Sequence, residues 1–295
     1  MTGRSRERLS SSEDSPTRRA LGRFWRNRPA IVGCVVVGLM IAIAALAPLF
    51  ATHNPNAIDL GAIRNPPSIH HWLGTDEAGR DVWSRLVYGA QTSMIVGFGA
   101  VTVYVLIGTL FGMASGYLGG TVDQVLMRTT DMVMSVPPLL LIIVFVAAIG
   151  PSLLSVIAVI GLLGWPATAR MVRGQFLSLR ESEFVTAAEV IGVSGMAITF
   201  RHLLPNVLGP LSVLATFGVA SAILLEAGLS FLGLGVRPPT ASWGVMINSA
   251  QSPVILNDLP WLWIPPGVAI AVTVLAVNFI GDGLRDAFDP RSTRR

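Results

Sequence analysis

The chain has 295 residues, 52% of them hydrophobic and 13% charged, with a formal net charge of +4. Soluble domains carry about 25% charged residues, so this composition excludes a soluble fold and implies a polytopic membrane protein. All 21 basic residues are arginine, which excludes a phosphate-binding loop ending in Gly-Lys-Ser/Thr, and the single Cys34 excludes an internal disulfide.

Residues 1–29 form a polar tail with eight arginines and three acids, expected to lack structure to about Arg18 and to face anionic lipid. Residues 30–50 are uncharged and long enough to cross about 30 Å of hydrocarbon. Ala45-Leu46-Ala47 mimics a signal-peptidase site, but the apolar run is too long for a signal peptide, so an uncleaved anchor is predicted. Residues 51–90 are polar and rich in Pro, Asn and His, and form an external loop. Within them Asp81 is placed to cap the next helix, with Arg85 one turn on. A metal site from His70, His71, Asp76 and Asp81 is set aside, because adjacent histidines do not share a face of a regular element.

The remaining residues, 91–283, read as a core of five further spans. Thr92–Leu118 is uncharged and carries Gly108, Gly112 and Gly116 at the spacing that lets helices pack closely in lipid, either inside this chain or against a second subunit. Gly119-Gly120 turns the chain. The third span runs to Ile149, with Pro137-Pro138 kinking it and Arg128 within helical reach of Asp131. Gly150-Pro151 makes an outer turn, and Ser152–Ala169 is the fourth span. Arg170, Arg173 and Arg180 mark the inner side, where a loop over 170–205 follows. Leu203–Leu225 is the fifth span. Residues 229–258 form an outer loop with a partly inserted segment, Leu259–Ile280 is the sixth span, and 284–295 are a second tail. With both termini cytoplasmic, inside segments hold 17 arginines and outside segments four (Arg64, Arg80, Arg85 and Arg237). This satisfies the positive-inside rule and explains the basic balance without a nucleic-acid partner.

The inner loop is the polar interruption around which the chain is organised. Glu183–Ile191 is a good helix former with acids in its first turn, where the helix dipole favours them. Gly192 can stop that helix in the left-handed conformation, Ser194 can cap a second short helix, and Pro205 can open the next long one. Ala187, Ala188 and Gly192 leave one side of the bend nearly bare, a surface suited to docking in a groove of another protein.

This loop resembles the coupling loop of bacterial ABC importer permeases, whose pattern is Glu-Ala-Ala, three residues, Gly, nine residues, Ile, one residue, Leu-Pro. Ala187, Ala188, Gly192, Leu204 and Pro205 match it, whereas Thr186 stands in place of the glutamate and His202 in place of the isoleucine. Phe184-Val185, Arg201-His202 and Leu204-Pro205-Asn206 resemble the dipeptide/oligopeptide branch. So do Leu73-Gly74-Thr75-Asp76 with Gly79-Arg80-Asp81, the glycine-rich run 228–235, and Asn278–Arg291.

The resemblance implies an all-α, six-helix type I ABC importer permease, of the methionine-importer-permease-like fold, in a bacterial plasma membrane. It implies a homologous permease as partner, two cytoplasmic ATPase subunits that use ATP and Mg²⁺, and an external solute-binding protein. The chain itself is expected to be no enzyme and to bind no cofactor or metal. Peptides are the leading substrate class; the branch also includes nickel, haem and glutathione importers. A secondary transporter would need a protonatable group near midplane, and the spans read as offering none. Glu183, Thr186, Ala187, Ala188, Gly192, Arg201, Leu204 and Pro205 are the expected coupling residues. Thr102, Ser155, Thr216, Ser221 and Asn278, small polar groups on the spans, are expected to line the path in part.

Overall fold

The structure, a computed structural model, describes residues 16–289. The expectation of an unstructured tail falls mostly outside them, but its last part is corrected: α1 (Pro16–Phe24) is helical. Ala20 and Phe24 are buried against Ala30 and Ala287, while Leu21 and Trp25 face outward. An indole beside arginines fits the membrane interface.

Asn27 starts α2 (Arg28–Ala45), accepting from the Ala30 amide at 3.2 Å. The first span breaks at Leu46 before the short α3 (Ala47–Phe50). Asp81 caps α4 (Val82–Leu118), accepting from the Ser84 amide at 2.8 Å. At about 1.5 Å per residue, its 37 residues extend well beyond a 30 Å hydrocarbon core. Gly119 and Gly120, both at positive φ, turn the chain into α5 (Gly120–Met134).

Pro137 and Pro138 then do more than kink the third span. α6 (Pro138–Ile149) leaves α5 at 82°, and only together are the two long and apolar enough for one span. A proline cannot continue the amide ladder and excludes the helical conformation from the residue before it, and two in succession open the helix completely. Five other helices or helical runs are long and apolar enough to cross a membrane. Counted with the bent pair as one span, the described residues hold six spans, and this is an integral membrane protein.

The pairing of α4 with α7 (Leu153–Arg180) dominates the bundle. A Cβ on Gly108 would lie 2.5 Å from the Thr168 Cβ, one on Gly112 2.6 Å from the Ala169 carbonyl, and one on Gly116 2.6 Å from the Phe176 Cβ. The three glycines therefore serve packing within this chain. In lipid, such close approach replaces the hydrophobic drive that water would supply. The inner ends are tied by ions. Asp123 takes both Nε and Nη2 of Arg173, at 2.5 and 2.6 Å, and also accepts from Ser115. Asp131 binds Arg170 at 2.8 Å, not Arg128, because the α5–α7 contact offers a cation across the seam.

Beyond α7 come α8 (Glu183–Val190), α9 (Gly195–Ala197), a π-helical turn (Ile198–Leu203) and α10 (Leu204–Phe231). After α10, α11 (Trp243–Asn248) and α12 (Pro253–Asp258) precede α13 (Ile264–Phe288). α11 packs into the bundle. Trp243 is fully buried and donates its indole N–H to the Leu86 carbonyl at 3.1 Å. Beneath it Glu226 of α10 is also fully buried, accepting from Ser230 at 2.7 Å, Ser242 at 2.8 Å and Ser93 at 3.2 Å. The sequence reading ended the fifth span one residue short of this carboxylate. It sits near the C-terminal end of α10, where it serves as a hydrogen-bonded anchor.

Candidate coupling surface and translocation face

The inner loop is built from two opposed surfaces. Val185 and Ala188 of α8 turn inward and pack with Phe176, Ile198 and Leu203 into a second core, built against Met113 of α4, Val172 of α7 and Val207 of α10. This corrects one expectation: Ala188 does not belong to the bare outer side of the bend. Its position three residues after Val185 places it on the same face of the helix. Ala187, Thr186 and Glu183 face solvent, and Glu183 lies in the first turn of α8.

Gly192 ends α8 at φ +81°. Its amide donates to the Glu189 carbonyl at 3.0 Å, and that of Val193 to the Ala188 carbonyl at 3.0 Å. These two bonds define a Schellman cap, and the left-handed residue within it favours glycine. A Cβ on Gly192 would meet nothing within 4 Å, so the tip is open space. Ser194 then caps α9, accepting from the Ala197 amide at 3.4 Å. The backbone widens into the π turn carrying Arg201 and His202, and Asn206 bonds the His202 carbonyl at 2.6 Å. Arg201 and Pro205 are exposed, and Leu204 is half-buried.

The outward surface of the tip is apolar. Val190 is 82% exposed, Ile191 79% and Met196 72%, with Phe184 and Phe200 also exposed. Sequence reasoning attended to the small residues and missed these. The signal was present: Val190-Ile191 immediately before a helix-stopping glycine, in a segment that the arginines place outside the membrane.

The five expected path residues do not converge. Thr102 and Thr216 line one cleft of about 420 Å³ among α2, α4, α10 and α13. Ser221 lines another of about 310 Å³ with Tyr104, Pro138 and Phe217, among α4, α6, α7 and α10. The hydroxyls of Thr102, Thr216 and Ser221 donate to carbonyls one turn back, at 2.8, 2.8 and 3.1 Å. Ser155 sits in the first turn of α7, donating to the Gly150 carbonyl at 2.7 Å. Asn278 is half-buried on α13.

Residues 108–294 match the family of binding-protein-dependent transport system inner membrane components. The chain belongs to this family. Residues 15–67 also match the N-terminal transmembrane domain of oligopeptide transport permease C. This permease is 47% identical over 277 residues to a protein of Brucella suis biovar 1 named as a peptide permease, covering 94% of this chain and 92% of the other. It is 41% identical over 277 residues to the dipeptide transport system permease protein DppC of Alkalihalophilus pseudofirmus, covering 94% and 90%. It is 38% identical over 285 residues to the oligopeptide transport system permease protein OppC of Bacillus subtilis, covering 97% and 93%.

Proposed function

We propose that this permease is a membrane subunit of an ATP-driven importer of dipeptides or oligopeptides. The observation that carries the reading is the near full-length similarity to chains named as dipeptide and oligopeptide permeases. The exposed apolar tip of the inner loop supports an energy input from a separate ATPase, since a chain without lysine has no phosphate-binding loop of its own. ATP and Mg²⁺ are then bound by two cytoplasmic ATPase subunits rather than by this chain. The arginine distribution supports cytoplasmic termini.

A homologous permease completes the path, and an external solute-binding protein delivers the substrate. The broken α5–α6 span supports placing the path beside Ser221, because Pro138 and Ile142, at the start of α6 just after the bend, line the same cleft. Glu183, Thr186, Ala187, Gly192, Arg201, Leu204 and Pro205 remain the coupling residues of this reading. Val190, Ile191 and Met196 join them as the apolar contact, and Ala188 supports them from behind.

The test is uptake of labelled dipeptides and oligopeptides by a deletion strain carrying the wild-type gene or an Ile191→Asp variant. Uptake is restored by the first and reduced at equal permease abundance by the second. Absence of any peptide uptake with the wild-type gene in a complete transporter would overturn the substrate class.

A further inference from the structure

The external loop brings together three side chains for which the transport reading has no use. His53 follows α3, His71 lies within the loop, and Asp81 caps α4. Asp81 is 2% exposed. Its Oδ2 is occupied by the Ser84 amide at 2.8 Å, the Ser84 hydroxyl at 2.7 Å and the Thr52 hydroxyl at 3.2 Å. Its Oδ1 faces both histidines, with His71 Nδ1 at 2.9 Å and His53 Nδ1 at 3.8 Å. The imidazole rings stand 4.7 Å apart, tilted by 34°. Nearby arginines are engaged elsewhere: Arg80 and Arg85 turn to Asp76, at 2.7 and 3.4 Å. His70 is exposed and outside the cluster.

We propose that His53, His71 and Asp81 form a binding site for one divalent transition cation of the zinc class, which clamps the external loop to the start of α4. Two imidazoles and a carboxylate are the ligand types such ions favour. All three donor atoms lie within 4.8 Å of one another. Metal–ligand bonds near 2.1 Å in a tetrahedron put ligands about 3.4 Å apart. The two histidine–Asp81 separations, 2.9 and 3.8 Å, fall on either side of this, and the third pair lies within 4.8 Å, so turning the imidazole rings brings the set to bonding distance.

The bonds from Ser84 and Thr52 hold the carboxylate from behind, the role that outer partners play around metal ligands. A buried carboxylate without an arginine gains from a bound dication. The His53 side chain is 43% exposed, which gives the ion an entry route and leaves its fourth position to water. His53 Nδ1 also lies 3.0 Å from the Thr52 hydroxyl, a contact that metal binding replaces. The sequence could not show this site, because its second histidine comes from the end of the first span rather than from the His70-His71 pair.

The test uses full-length permease in detergent, with any affinity tag removed. Co²⁺ is added and the visible ligand-field spectrum recorded, then Zn²⁺ is titrated in. Wild-type protein takes up about one Co²⁺ per chain with four-coordinate bands that Zn²⁺ abolishes. His53→Ala, a change at an exposed ring, weakens Co²⁺ binding at least about tenfold while the thermal unfolding of metal-free protein is unchanged. Zn²⁺ also slows proteolysis of the loop between His53 and His71 in the wild type and not in His53→Ala. Absence of the bands in the wild type, or equal affinity in His53→Ala, would overturn the proposal.

Discussion

Glu226 of α10 accepts a hydrogen bond from Ser242, at the entrance to α11, at 2.8 Å inside a fully buried site. The same carboxylate holds Ser93 of α4 and Ser230 of its own helix. One side chain thus pins the entrance to α11 to two spans. Ser242 in turn caps α11 through the Val245 amide at 3.1 Å, and this cap orients Trp243 into the bundle.

Glu226→Ala is expected to free α11. Three buried hydroxyls lose their acceptor, at a cost on the order of 3 kcal/mol. Glu226→Gln keeps a carbonyl in place and costs less. Thermal unfolding in detergent and limited proteolysis across 238–257 measure both. Equal stability of Glu226→Ala and wild type would refute the anchoring role.

The α4–α7 seam gives a second contrast. Gly112→Val places a side chain where even a Cβ lies 2.6 Å from a carbonyl, and no rotamer relieves a backbone clash. Overpacking of this kind costs about 1–3 kcal/mol or more, so folded yield falls. Gly38→Ala, where a Cβ meets nothing within 4 Å, leaves yield unchanged. Size-exclusion profiles at matched membrane abundance separate the two.

The two ion pairs at the inner edge differ by burial and geometry. Asp123–Arg173 is two-pronged, with side chains 19% and 31% exposed, whereas Asp131–Arg170 is single and more than half exposed on both sides. A double-mutant cycle with alanine is expected to give about 1 kcal/mol or more for the first and about 0.3 kcal/mol for the second. Equal coupling energies would show that the α5–α7 junction does not depend on the two-pronged contact.

The spans were legible because an uncharged run of about twenty residues has few alternatives. The glycine triplet, a bend at Pro137-Pro138 (though not its 82° extent) and the caps at Asp81, Gly192 and Ser194 were legible for a similar reason: each residue has a narrow backbone or packing use. Partner choice was not. Asp131 chose Arg170 over Arg128, and Asp81 gathered His53 rather than His70, because these pairings depend on which elements the fold brings alongside. Inward and outward faces of a short helix were equally hidden. α8 has eight residues, and its apolar positions run nearly all round it, so Ala187 and Ala188 could not be sorted without the bundle behind them.

That sorting reshapes the test of the coupling tip. Ala188 is buried against Val185 and Ile198, so Ala188→Asp disrupts the loop itself and says nothing of docking. Gly192 separates two effects. Its φ of +81° strains any residue with a Cβ, yet the space around it is empty. Gly192→Ala is therefore expected to cost about 1 kcal/mol locally, and Gly192→Asn less, since asparagine tolerates the left-handed region. Neither change adds a charge. Val190→Asp and Ile191→Asp alter exposed side chains, leave the fold intact, and put a charge on the apolar tip. If an ATPase docks there, desolvating that charge weakens the complex by several kcal/mol. The expected order of ATPase retention is then wild type, Gly192→Asn, Gly192→Ala, with Ile191→Asp lowest, and peptide uptake follows the same order at equal abundance. Thr186→Ala, at an exposed position whose hydroxyl makes only a 3.4 Å contact with the Ser182 carbonyl, stays near wild type. Full retention and uptake by Ile191→Asp would place the energy input elsewhere on the cytoplasmic face.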